Sequence, residues 1–172
     1  MEHWLNPMDK KWVTGIETLA RIAVRFPQTA YVGLVSSLQT KWQYICRIVP
    51  GAGQYLELVE LALCKKFIPA LLQVSEPVDD VFCQLLSHGV KMGGIAIKNL
   101  VTSTPHLHQC SMDASNILVK ALHNGGGLNA KAHKAVVKAA GNAACKARLK
   151  GVEENLKGLK SSGGRKVAKH LG

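Results

Sequence analysis

Aromatic residues are scarce in this sequence, because Phe, Trp and Tyr make up only 5% of its 172 residues, whereas apolar residues as a whole make up 47%. Strands are usually rich in aromatic side chains, so this composition disfavours a strand-rich protein. Leu, Val, Ile and Ala supply most of the apolar content. The composition therefore predicts a mostly helical domain, large enough to bury a core.

The sequence also lacks a run of roughly 18 uncharged apolar residues, which a membrane-spanning helix needs, and its first residues show no apolar secretory stretch. Its cysteines are odd in number, widely spaced and free of any Cys-x-x-Cys pattern, which favours reduced, buried thiols over a disulfide framework. We therefore expect an intracellular protein of the nucleus or cytoplasm without a membrane partner. The cysteines are Cys46, Cys64, Cys83, Cys110 and Cys145.

Acidic residues are nearly absent from the C-terminal quarter. Residues 1–130 carry 11 Lys/Arg and 9 Asp/Glu, whereas residues 131–172 carry 11 Lys/Arg and 2 Asp/Glu. Such an excess attracts polyanions, nucleic acid first and an anionic membrane second, by an attraction that salt weakens. The alternative is a solvated basic tail with no partner.

Apolar residues recur at helical spacing along five segments, with the clearest pattern in the second. Pro27 ends the first segment, and Pro69 is expected to bend or end the third. These features predict an all-α irregular bundle over residues 1–125, followed by a basic helical or disordered tail at residues 126–172. The predicted helices span residues 8–26, 29–49, 54–72, 78–90 and 104–123.

Local signals at the last two predicted helices concern their first turns. Pro77 is expected to open the fourth helix, with Asp79 and Asp80 in its first turn, where carboxylates complement the helix dipole. Paired aspartates also hold magnesium in polymerases, but those lie on a hairpin or strand end. Thr104 and Pro105 predict the N-cap and first position of the fifth helix.

A glycine pair, Gly93-Gly94, separates the fourth helix from the short alternating segment "IAIKNL". A phosphate-binding loop needs GxxxxGK followed by Ser or Thr, or GxGxxG after a strand, and neither pattern is present. Glycine allows positive φ and close backbone approach. The pair therefore predicts a sharp turn before a short extended segment.

Two groups of side chains suggest ligand chemistry. His106, His108 and Cys110 resemble a metal-binding cluster, but residues two apart on a helix point to nearly opposite sides, so a metal site is disfavoured. The run "KWQYICR" mixes basic and aromatic residues, as nucleic-acid contacts do. Trp42 belongs to the apolar face, which leaves Lys41, Tyr44 and Arg47 as an exposed edge.

Four motifs, taken in order, resemble the region that follows the polymerase core in reverse-transcriptase-like proteins of animal and protist retroelements. They are "PQ-AY" at residues 27–31, "KW-Y--R--P" at 41–50, "FIPALL" at 67–72 and "GG-x-x-I-x-N" at 93–99. The resemblance extends from about Trp12 to Leu122. One departure is that the family usually shows a larger apolar residue with Gly after the glycine pair, where this chain has Ile95-Ala96-Ile97.

The resemblance implies a helical thumb-like domain at residues 1–125 that packs on a template-primer duplex and tracks its backbone. The catalytic aspartates of such polymerases, including the YxDD hairpin, belong to an upstream palm, as does their Mg²⁺. This chain contains no YxDD motif. It therefore resembles a polymerase fragment that is no enzyme on its own and has no cofactor.

The favoured hypothesis is sequence-independent binding of an RNA–DNA hybrid or duplex through phosphate contacts. The alternative is a helical protein–protein interaction module, for instance one that packs on a polymerase core. A complete small enzyme would need a site that the sequence does not show. The predicted nucleic-acid contacts are Lys41, Arg47, Lys91, Lys98, Lys131, Lys134, Lys138, Lys146, Arg148, Lys150, Arg165 and Lys166.

Overall fold

A computed structural model describes the backbone of residues 2–75 and 78–161, and the side chains of residues 8–75, 78–147, 149–154 and 157. All regular structure in these ranges is helical, with no strand, which confirms the predicted all-α class. The bundle has six helical stretches within the described residues, close to the five expected before the tail.

Four of the six stretches are single helices, and two are continuous runs that change their winding. We number them α1 to α6 in chain order. The single helices are α1 (Glu2–Ala23), α4 (Asp80–Ser87), α5 (Leu100–His123) and α6 (Ala130–Ser161). Run α2 comprises Pro27–Gly33, a π turn at Leu34–Leu38, and Gln39–Ile48; run α3 comprises a 3₁₀ turn at Ala52–Leu56, then Glu57–Ala62, a π turn at Leu63–Phe67, and Ile68–Leu72.

Helices α1, α2 and α3 form the main core. Their inner faces contribute Ile16, Leu34, Trp42 and Phe67, all of which have no exposed surface. Trp12 packs edge-on against Trp42, with ring centroids 6.4 Å apart at 70°. Trp42 is therefore a core residue, as its place on the apolar face predicts.

Pro69 neither ends nor sharply breaks α3. A proline inside a helix removes one hydrogen bond and crowds the preceding turn. The run widens into the π turn Leu63–Phe67 just before Pro69 and continues to Leu72, where Gln73 takes the left-handed φ of 55°. The expected disturbance is thus confined to one wide turn.

The predicted start of α5 at Thr104 is wrong, because the helix begins at Leu100. The Asn99 side chain caps it by accepting a hydrogen bond from the Thr102 N–H at 2.9 Å, and Glu60 of α3 accepts from the Leu100 N–H at 2.9 Å. Pro105 therefore lies within the helix, where its missing N–H leaves the Val101 carbonyl without its helical partner. Gly53 packs closely against that carbonyl.

Helix α4 is also shorter than predicted. Pro77 lies outside the described residues, and the helix runs only from Asp80 to Ser87. Asp79 caps it by accepting from the Val81 N–H, which is the helix-terminal role expected for this aspartate. The chain then becomes extended at His88, so the predicted continuation to residue 90 is wrong; a separate 3₁₀ turn follows at Val90–Met92.

The basic tail forms α6, which packs along α5 and touches α4. Only Ala140 and Val152 are fully buried among its described side chains. The half-buried positions are also mostly small, including Ala132, Ala144, Ala147 and Gly151. The hairpin of α5 and α6 is therefore held by a thin layer of small side chains.

Candidate nucleic-acid interface

The outward face of α2 carries the basic and aromatic residues of the "KWQYICR" run. Lys41, Tyr44 and Arg47 are exposed, and the Tyr44 side chain keeps 62% of its surface in solvent. Residues three apart on a helix are neighbours, so Tyr44 lies between the two cations. The structure thus shows the exposed edge that the sequence predicts.

Lys98 reaches the same face from the segment after the glycine pair. Its Nζ donates to Gln43 Oε1 at 3.0 Å. Gln43 lies one helical turn before Arg47, so Lys98 contacts α2 one turn away from Arg47. We call Lys41, Tyr44, Arg47 and Lys98 the α2 face.

The segment that carries Lys98 is fixed by a glutamine side chain. Gln39 is buried, its Nε2 donates to the Ala96 carbonyl at 3.1 Å, and its Oε1 accepts from the Lys98 N–H at 3.1 Å. The Tyr31 hydroxyl donates to the Ile95 carbonyl at 2.8 Å. Sequence reasoning missed Gln39 because its partners lie far along the chain.

The glycine pair forms the turn that directs the segment carrying Lys98 towards α2. Gly93 takes a φ of 83°, which glycine adopts without strain. A Cβ on Gly94 would lie 2.2 Å from the His88 carbonyl oxygen, so no side chain fits there. The pair therefore forms a turn through its backbone geometry.

The lysines of α6 form a second basic surface. The side chains of Lys131, Lys134, Lys138, Lys146 and Lys150 are all exposed. Their spacing places them on the side of the helix opposite the small residues that pack on α5. Lys150 also pairs with Glu154 at 3.9 Å.

One further predicted contact is described, and three are not. Lys91 is exposed in the 3₁₀ turn Val90–Met92. The Arg148 side chain, Arg165 and Lys166 lie outside the described residues.

Few acidic residues surround the α2 face in the sequence. No Asp or Glu occurs between Thr18 and Leu56, or between His88 and Met112. The segments that build the face therefore contribute only positive charge, which favours a polyanionic partner.

The sequence disfavours a metal site at His106, His108 and Cys110, and the structure places all three residues on α5. His106 is exposed, and His108 and Cys110 are half-buried on α5. Across the described part of the chain, no three His, Cys, Asp or Glu side chains converge in a way that would hold a metal ion. Asp80 pairs with Lys65 at 3.1 Å and so has a local electrostatic role.

Two shallow depressions mark the described surface. One lies between α1 and α3, next to the Lys66–Glu17 ion pair. The other lies between the first turns of α3 and α5, near Gly53 and Pro105. Both are open to solvent, so they do not enclose a small-molecule substrate as typical ligand pockets do.

No protein-family model, curated protein or solved structure matches this chain. In the described residues, no helix combines the length and apolar character that crossing a bilayer requires.

Proposed function

We propose that this chain is a non-catalytic, thumb-like region of a retroelement reverse transcriptase that binds nucleic-acid duplex without sequence preference. The observation that carries the proposal is the α2 face, where Lys41 and Arg47 flank the exposed Tyr44 and Lys98 lies beside them. Cations at such spacing contact successive phosphates, and they read no base sequence.

The motifs on which the resemblance depends contact one another. Tyr31 of "PQ-AY" holds Ile95, which follows the glycine pair, while Asn99 of the same segment caps α5. Ala96, within the segment where this chain departs from the family pattern, takes a φ of 59°, in the left-handed region that favours glycine. These contacts support the reading of the motifs as one structural unit.

The α6 lysines add a longer-range attraction to this proposal. Their exposed side chains form a row along the helix and face away from the bundle. Neutralising phosphates with such cations releases bound counterions, so affinity falls as salt rises. Non-specific binding of this type has a Kd of about 10⁻⁴ to 10⁻⁶ M at physiological salt.

Charge reversal on the full chain tests the proposal. Fluorescence anisotropy would measure the Kd for a labelled RNA–DNA hybrid across a salt series, for the parent and for K41E/R47E. The control is K10E/K11E, which makes the same charge change at exposed positions of α1. Each lost phosphate contact should lower the slope of log K against log salt by about 1.

The comparison of the two double variants decides the outcome. We expect K41E/R47E to bind at least tenfold more weakly, and K10E/K11E to change affinity far less. Equal losses would mean that only net charge matters, which contradicts a duplex surface on α2. No binding by the parent chain at low salt would reject the nucleic-acid proposal altogether.

A second candidate function is a protein-binding module, favoured by an apolar stripe on α5. Met112, Val119 and Leu122 retain 55%, 59% and 84% of their surface, although all three are apolar. Exposed apolar residues on one helix face are typical of interaction sites. Binding of a separately expressed polymerase core, lost in M112Q/V119Q but unchanged in K41E/R47E, would favour this candidate.

A further inference from the structure

Two buried thiols from different helices lie against each other. Cys64 belongs to the π turn of α3 and Cys83 to α4, with 9% and 6% of their surfaces exposed. Cys83 Sγ donates to the Cys64 carbonyl oxygen at 4.0 Å, so the Cys83 thiol packs directly against Cys64. Among the described residues, no other two cysteines share such a contact: Cys46, for example, accepts from Thr104 Oγ1 at 3.2 Å.

The groups around the pair make the two thiols chemically different. The neighbouring Cys64 and then the Lys65 cation lower the pKa of Cys83 below its ordinary value. The neighbouring Cys83 and burial raise the pKa of Cys64. Glu60 Oε1 accepts from Cys64 Sγ at 3.6 Å, and burial raises the pKa of this carboxyl group.

The geometry points to Cys64 and Cys83 as a reversible disulfide site that crosslinks α3 to α4, formed by exchange with a small-molecule disulfide. Bond formation requires the two sulfur atoms to come within about 2 Å of each other. Crosslinking therefore includes a shift of the eight-residue helix α4 towards α3.

The exchange proceeds in two balanced steps. The Cys83 thiolate attacks one sulfur of the small-molecule disulfide, so a mixed disulfide forms and the other half leaves as a thiolate. Cys64 then loses its proton to the Glu60 carboxylate and attacks the Cys83 sulfur, which expels the second small-molecule thiolate. The protein loses two electrons and two protons, and the small-molecule disulfide gains them as two thiols.

The experiment equilibrates the full chain in buffers of reduced and oxidised glutathione, starting both from the folded reduced protein and from protein refolded in the same buffer. Refolding gives the reagent access to thiols that are buried in the folded state. Trypsin places Cys64 in peptide 48–65 and Cys83 in peptide 67–91, each without another cysteine. A covalent 48–65/67–91 pair that dithiothreitol dissolves is the expected product.

The background variant for this experiment is C110S/C145S, which removes the two cysteines of the α5–α6 hairpin. Adding C83S should abolish the linked peptides, whereas adding C46S should leave them unchanged. The folded protein should favour the crosslink at least about tenfold over the same chain in denaturant, because the fold holds the thiols together. An equal crosslinked fraction in folded and denatured chains would overturn the proposal.

Glu60→Gln tests the proton step, since the amide keeps an oxygen that accepts from the Leu100 N–H but takes up no proton at neutral pH. We expect slower conversion of the mixed disulfide to the crosslink, with the rate recovering as pH rises. An unchanged rate would remove Glu60 from the mechanism without affecting the crosslink itself.

Discussion

The bundle of α1 to α3 and the hairpin of α5 and α6 are both helical, yet they are stabilised differently. The bundle buries large side chains such as Trp42 and Phe67 completely. The hairpin buries Leu100 at the start of α5, but otherwise only Thr104, Ala140 and Val152 among its described side chains, and it leaves Leu122 exposed. Burial of apolar area is the main source of stability. The bundle therefore supplies most of the folding free energy, and the hairpin is free to carry charge on its outer side.

The largest effect should come from truncating a bundle core residue. Phe67→Ala removes a ring with no exposed surface and should destabilise the protein by about 3–5 kcal/mol. Leu118→Ala in the hairpin removes a half-buried side chain and should cost less than about 2 kcal/mol. Urea unfolding measures both free energies. Equal losses would show that the hairpin contributes as much to stability as the bundle does.

Substitutions at the glycine turn test whether this turn unfolds together with the bundle of α1 to α3. Gly94→Ala places a Cβ against the His88 carbonyl, so we expect a loss of more than about 2 kcal/mol. Gly89→Ala is the matched control, because a Cβ there meets no atom within 4 Å. Thermal unfolding would compare the two. If Gly94→Ala is no less stable than Gly89→Ala, the turn does not unfold cooperatively with the bundle.

Ala96→Gly should stabilise the protein, although glycine usually does the opposite. The left-handed φ of 59° strains an alanine by about 1 kcal/mol, and glycine relieves this at some entropic cost in the unfolded chain. The net gain should be up to about 0.5 kcal/mol in urea unfolding. A loss of stability in Ala96→Gly would mean that the two hydrogen bonds from the Gln39 side chain hold the segment in a different conformation.

The last prediction concerns pH. Burial lowers the pKa of His88, and its Nε2 has no hydrogen-bond partner. The unfolded chain therefore binds a proton at His88 more readily than the folded protein does. Neutral His88 contributes fully to the free energy of unfolding above the unfolded pKa of about 6.5, and this contribution is lost as pH falls below that value. The change should stay below about 1 kcal/mol, and His88→Gln should remove it from a pH series of urea midpoints. If the pH dependence of the urea midpoint is unchanged in His88→Gln, other titrating groups cause it.

The sequence was sufficient where structure depends on local patterns. The helical period of residues 39–48 predicted both the burial of Trp42 and the exposure of Lys41 and Arg47. High Ala content favoured helix in the basic tail, which became α6. Intrinsic propensity and amphipathic spacing act within a few turns, so a single sequence reveals them.

Features that depend on distant residues were missed. The start of α5 is fixed by Asn99 together with Glu60, whose carboxylate comes from another helix. The local sequence at Thr104 and Pro105 predicted a later start, because it carries no information about the contact with Glu60. The same reason hid Lys98 as a member of the α2 face, since only the fold brings Gln43 to it.

The Gln39 side chain has a further consequence for how this protein behaves in a crowded solution. Its amide satisfies the Ala96 carbonyl and the Lys98 N–H, the same two backbone groups that a neighbouring strand would pair. An extended apolar segment with unpaired backbone is a template on which other chains add as strands. One buried glutamine thus occupies two backbone groups of "IAIK" to which another chain could otherwise add as a strand.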